Sequence, residues 1–187
     1  MHKEYLGKFT NESGSFIVSD PCYSLGIWCQ GQLNDVATGT WKAYVKRKDE
    51  GDWGIQGDWG IRCAELIVEH DSVTDEDSLR WRYCSDFPVW VDSGQAGIFD
   101  LKYYKNDDGF AEDEVPNFKY EDENKFFSFC CDITLSKIGA GTMKYGAVSS
   151  SGYGDGGYRC YISKNSNRKI EAVKIVFISE DVEDECE

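Results

Sequence analysis

Cys22, His70 and Asp92 are the residues from which thiol-dependent hydrolysis could be assembled. A cysteine nucleophile needs a base within reach and a third group to orient that base. Cys22 follows Asp20-Pro21 at a turn that can expose it. His70 ends a strand-like run, while the other histidine, His2, lies in the N-terminal stretch. Asp92 or Asp20 could orient the imidazole. No spacing rule joins these positions, so the triad stands as an alternative and no catalytic residue is assigned.

Three polar stretches interrupt otherwise apolar sequence: Asp20-Pro21-Cys22-Tyr23, Asp92-Ser93-Gly94-Gln95, and Ser149 to Asp155. Their hydroxyls, amide and carboxylates beside glycines suit hydrogen bonding to the polar edge of a small ligand. The ligand-binding candidates are Asp20, Cys22, Tyr23, Asp92, Ser93, Gln95, Ser149, Ser150, Ser151, Tyr153 and Asp155. The same residue types also satisfy turns, so convergence on one pocket is the observation that separates the two readings.

Familiar ligand signatures fail on context. Gly152-Tyr153-Gly154-Asp155-Gly156-Gly157 has dinucleotide-fingerprint spacing, but Tyr158 to Ile162 reads as a strand where that fingerprint needs a helix N-terminus. Gly139 to Lys144 lacks the Gly-Lys-Ser/Thr ending of a phosphate loop. Placing Gly109 at the sixth position of a calcium loop puts Tyr104 first and Val115 twelfth, where carboxylates are required. There is no C-x-x-C pair and only two histidines occur. No metal and no cofactor is expected.

The elements that must position these residues are mostly strands, by their period-two alternation. Ser15–Val18, Thr40–Lys46, Ile61–Glu69, Lys144–Ser150, Gly157–Ser163 and Ile170–Ile178 read this way. Lys164 to Arg168 is a hairpin loop. A helix is expected over Gln95–Tyr104, capped by Asp92 or Ser93, with Ile98 and Leu101 on one face. Lys125–Leu135 fits either a buried strand or a short helix. The fold class expected is mainly β, an antiparallel sandwich or open barrel with one or two short helices. The organisation expected is one β-rich domain over residues 1–179 and an acidic tail at 180–187.

The chain has 187 residues, a formal charge of −14 and 41% hydrophobic residues. Such a chain can bury a real core without disulfide or metal staples. The charge disfavours direct nucleic-acid binding and docking on anionic membranes. The N-terminus lacks an apolar leader and no run is long enough for a membrane helix, so a cytoplasmic location is expected. There the eight cysteines stay reduced and fill the core. Residues 106–123 hold eight acids and residues 180–187 hold six. These are solvated segments or an anionic surface for a basic protein. Gly51–Gln56 is repeated as Gly57–Arg62, a hairpin-tip duplication or a paired Trp53/Trp59 partner-binding surface.

Ser19-Asp20-Pro21-Cys22-Tyr23, Val91-Asp92-Ser93-Gly94-Gln95-Ala96-Gly97-Ile98-Phe99-Asp100 and Val148 to Gly156 together resemble an uncharacterised domain family of small bacterial and phage proteins. The likeness extends to the strand around Trp41 and to Val173–Phe177. It implies a single domain and host–phage conflict as a setting, and no activity. The duplication at 51–62 departs from that family's shorter hairpin. The function expected is therefore a non-enzymatic binding protein whose acidic surface engages a protein partner, basic or nucleic-acid-binding, as a phage anti-defence inhibitor. The alternative is a small-ligand or thiol-hydrolase pocket built from the three motifs.

Overall fold

The computed structural model describes residues 1–51, 60–117 and 124–179. Trp53, Trp59 and the 180–187 tail lie outside them. Two open antiparallel sheets stack face to face, and neither closes into a barrel. One contains β1 (His2–Asn11), β4 (Gly39–Asp49), β5 (Ile61–His70), β12 (Ile170–Val176), β11 (Gly156–Lys164) and β6 (Arg82–Tyr83), in that order. The short β7 (Val89–Val91) also pairs with β11. The second sheet runs β3 (Gly31–Leu33), β2 (Phe16–Ser19), β8 (Gln95–Asp100), β10 (Gly146–Ser150) and β9 (Ala140–Met143). The helix α1 (Lys125–Thr134) covers its outer face.

The second sheet is thus a middle layer, apolar on both sides. Phe16, Val18, Ala96, Ile98 and Ala147 face the larger sheet and meet Trp41, Leu66, Val68 and Val173. The alternate residues Ile17, Phe99 and Val148 face α1 and meet Phe126 and Cys130. A strand buried on both faces loses its polar-apolar alternation.

That is why Gln95–Tyr104, expected to be helical, is instead β8 followed by a 3-10 turn at Leu101–Tyr103. All six residues of β8 are buried. Gly97 sits where a Cβ would lie 2.2 Å from the Phe99 ring and 2.6 Å from the Ala147 carbonyl. The ambiguous run at 125–135 is α1. The Asn124 side chain accepts the Phe127 N–H at 3.2 Å, a cap that favours a helix start. Phe126/Cys130 and Phe127/Cys131 bury one face at i, i+4 spacing.

The β11–β12 hairpin forms as expected, closed around Asn165, whose Oδ1 accepts the N–H groups of Asn167 and Lys169, each at 3.0 Å. Cys29, Cys63, Cys84, Cys130, Cys131 and Cys160 are buried free thiols, and Cys22 is half-buried. Among the described residues no helix is long and apolar enough to cross a membrane.

Candidate functional site

Asp20 organises the site. It follows β2 directly and is fully buried. Its Oδ1 accepts the Cys22 N–H at 2.8 Å and the Ser93 hydroxyl at 2.6 Å. Its Oδ2 accepts the N–H groups of Asp92 and Ser93 at 2.9 and 2.7 Å. Four donors on one carboxylate compensate the burial of its charge. The Asp20 and Asp92-Ser93 motifs, far apart in sequence, are therefore one hydrogen-bonded unit. Gly94, at φ +68°, completes the turn between β7 and β8.

The unit extends into a wired loop at 21–30. The Tyr23 hydroxyl donates to Asp92 Oδ2 at 2.7 Å. Tyr104 donates to the Tyr23 carbonyl at 2.7 Å, and burial pushes its phenol well above the usual range. Gln30 accepts from the Gly26 and Ile27 N–H groups and donates to Ser19 Oγ at 2.9 Å. The Trp90 N–H reaches the Cys29 carbonyl at 3.2 Å. The loop presents Leu25, Ile27 and Trp28 to solvent, with Trp28 75% exposed and its ring 6.1 Å from that of Trp90.

The other motif residues divide. Gln95 turns towards α1, donating to Cys131 Sγ and accepting from Thr134 Oγ1. Ser149 is buried and donates to the Ser150 carbonyl. Ser151 donates its N–H to the Gly94 carbonyl at 3.0 Å, which sets the third motif beside the second, and its Oγ–H to Gly154. Ser150, Ser151 and Tyr153 line a cleft of about 510 Å³ together with Arg47, Arg62 and Lys137. Asp155 is exposed. The three motifs occupy adjoining turns, and most of their polar atoms bond one another.

Cys22, His70 and Asp92 are not brought together as a triad. His70 ends β5 in the larger sheet, its ring edge-on to Trp41. Its Nε2 meets the Thr38 carbonyl at 3.1 Å. A carbonyl can only accept, so that nitrogen carries the proton. Nδ1 accepts from the Ser72 N–H at 3.2 Å, with the Ser72 hydroxyl at 2.7 Å. Both ring nitrogens are engaged away from Cys22. Burial, with Asp20 and Asp92 nearby, pushes the Cys22 thiol up to about 12, opposite to what a nucleophile needs. Among the described residues no His, Cys, Asp or Glu cluster is placed to hold a metal ion.

Sequence reasoning missed two features. Asp100 is a second buried staple. Its Oδ2 accepts from the Glu12 and Ser13 N–H groups at 2.6 and 3.1 Å, its Oδ1 from Lys102 N–H at 2.9 Å. Position alone signalled it, as the polar end of an apolar strand. The exposed Trp28–Trp90 pair had no sequence signal, because exposure of a tryptophan is a tertiary property.

No curated protein and no solved structure matches the chain. The family model described as "Protein of unknown function (DUF4241)" matches residues 9–175, a span that takes in all three motifs, and the chain belongs to that family.

Proposed function

We propose that the protein is a non-enzymatic, cytoplasmic binding protein that engages a basic protein partner through the 21–30 loop, with Trp28 as its anchor. The carrying observation is the exposure of Trp28 beside Trp90 on a loop whose backbone is tied down at Cys22, Tyr23, Gly26, Ile27 and Cys29. Tryptophan dominates binding hot spots because it buries a large rigid surface at small entropic cost. A preorganised loop further lowers the cost of association. On this reading the motif residues serve function indirectly: Asp20, Ser93, Gln30 and Tyr104 hold the loop that carries the anchor.

The −14 charge gives the partner its sign. Asp107, Asp108, Glu112 and Asp113 are exposed, and their loop is held by the Phe110–Phe129 stack at 4.6 Å. Such a surface steers a basic protein. Host–phage conflict, as an anti-defence inhibitor, is the setting we assign, from the resemblance of the motif set.

The test places a photo-crosslinking amino acid at position 25 in the producing cell. We expect an adduct with a basic protein, lost when Trp28 and Trp90 are both alanine. The purified partner should bind the Trp28→Ala variant about thirtyfold more weakly, as for a hot spot of about 2 kcal/mol, and wild type more weakly as salt rises. An adduct indifferent to both tryptophans, an acidic partner, or only a second copy of the chain would refute the proposal.

A further inference from the structure

Where β6 pairs with β11 and the β11–β12 turn meets the end of β3, a cleft of about 620 Å³ opens. It lies in the size range of small-ligand sites. Its charge is opposite to that of the chain: Arg80, Arg82, Lys164 and Arg168 line it against one carboxylate, Asp86. Nearby cations outside the cleft are neutralised, Lys169 by Asp35 at 3.0 Å and Lys174 by Glu65 at 3.7 Å. Among the described residues no carboxylate lies within ion-pair distance of Arg82 or Arg168, while Lys164 shares the field of Asp35 with Lys169.

The cleft is also built. The backbone N–H of Arg80 donates to the buried Ser163 hydroxyl at 3.0 Å, and its guanidinium to the Asp77 carbonyl at 2.9 Å. Arg168 holds φ +63°, a left-handed conformation that glycine adopts freely and a long side chain adopts at a cost. The turn keeps an arginine where glycine would fit better, and its side chain lines the cleft. Arg80, Arg82, Lys164 and Arg168 are all exposed around the cleft, and an anion seated among them meets positive charge from several sides.

We propose that this cleft binds the diphosphate group of a small ligand. Arginine forks grip phosphate oxygens in pairs, and several cations suit a group with more than one negative charge. A long nucleic acid is disfavoured because the rest of the chain repels it. Tyr83 borders the cleft at the β6–β11 pairing, but its ring packs on Tyr161 at 5.6 Å and under the Arg159 guanidinium at 5.9 Å, so a nucleoside base is left to the rim and the phosphates carry the binding. Inorganic pyrophosphate and a nucleoside diphosphate are thus two sources of the same chemistry.

The experiment is calorimetry on the full chain with pyrophosphate, ADP and citrate. Pyrophosphate and ADP should bind and citrate should not. Arg82→Ala and Arg168→Gly should each weaken binding at least tenfold, the fold-equivalent of one charge-assisted hydrogen bond. Arg168→Gly should leave Tm unchanged or higher, which separates loss of the ligand group from loss of fold. Tighter binding of ADP than of pyrophosphate assigns a nucleotide; equal binding assigns the bare diphosphate. The Trp28→Ala/Trp90→Ala variant should bind as wild type does, so this site and the partner surface fail independently. Absence of binding, equal binding of citrate, or wild-type affinity in Arg82→Ala and Arg168→Gly overturns the proposal.

Discussion

Replacing Asp20 by asparagine changes almost no volume and removes one charge, so it isolates the carboxylate. Asp20 takes four donors, two on each oxygen. The asparagine amide can accept on one side only. Its better orientation keeps the carbonyl towards the Asp92 and Ser93 N–H groups and turns the NH2 towards Ser93 Oγ, which can rotate to accept. The Cys22 N–H then loses its partner, at about 1–3 kcal/mol. The two retained backbone bonds become neutral ones and weaken by roughly 1 kcal/mol each. The sum is about 3–5 kcal/mol, which lowers Tm by roughly 6–20 °C in a chain of this size. Ser93→Ala removes one bond and leaves the rest, so about 1 kcal/mol is expected. Thermal and urea unfolding followed by circular dichroism measure both. Hydrogen exchange at Cys22, Asp92 and Ser93 should quicken in Asp20→Asn before the core amides respond. If Tm stays within about 2 °C of wild type, Asp20 does not hold these turns. Lost partner binding at native stability would instead mean that Asp20 shapes the loop without contributing to overall stability.

Two further expectations concern Cys22 and β8. Cys22 should resist iodoacetamide at pH 8 by about 1000-fold relative to an ordinary thiol. Its pKa is raised from 9.0 to about 12, the thiolate is the reactive form, and each unit is tenfold; reactivity should climb only as pH approaches 12. Mass-spectrometric alkylation rates decide, and fast labelling at pH 8 would reopen the nucleophile reading. Gly97→Ala should destabilise by about 2–3 kcal/mol, because the new methyl meets the Ala147 carbonyl, which cannot swing aside as a side chain would; a neutral result by urea titration would mean that β8 and β10 separate readily.

Residues whose burial follows a simple period were legible in the sequence. β4 alternates, with Trp41, Ala43 and Val45 buried, and the turn between β11 and β12 shows in its Asn and Ser residues. The DPCY, DSGQ and SSSGYGD motifs could be seen as polar islands. Their meaning could not, because Asp20 and Ser93 meet across 73 positions and a motif does not state its partner. β8 was misread because burial on both faces erases the alternation that marks a strand. His70 could be proposed as a base because nothing local reveals that the Thr38 carbonyl, 32 positions away, already engages its Nε2.

By itself the sequence determined the mainly β architecture, the sign and placement of much of the charge, and the family, since all three are carried by local pattern and motif identity. Tertiary structure decided which polar groups remain for a partner. Folding spent most of the motif hydrogen bonds on the turns, left Trp28 and Trp90 in solvent, and gathered Arg80 and Arg82 with Lys164 and Arg168 across strands about eighty residues apart. Exposure and charge proximity are set by which strands pair and which layers stack, through contacts that no local stretch of chain contains.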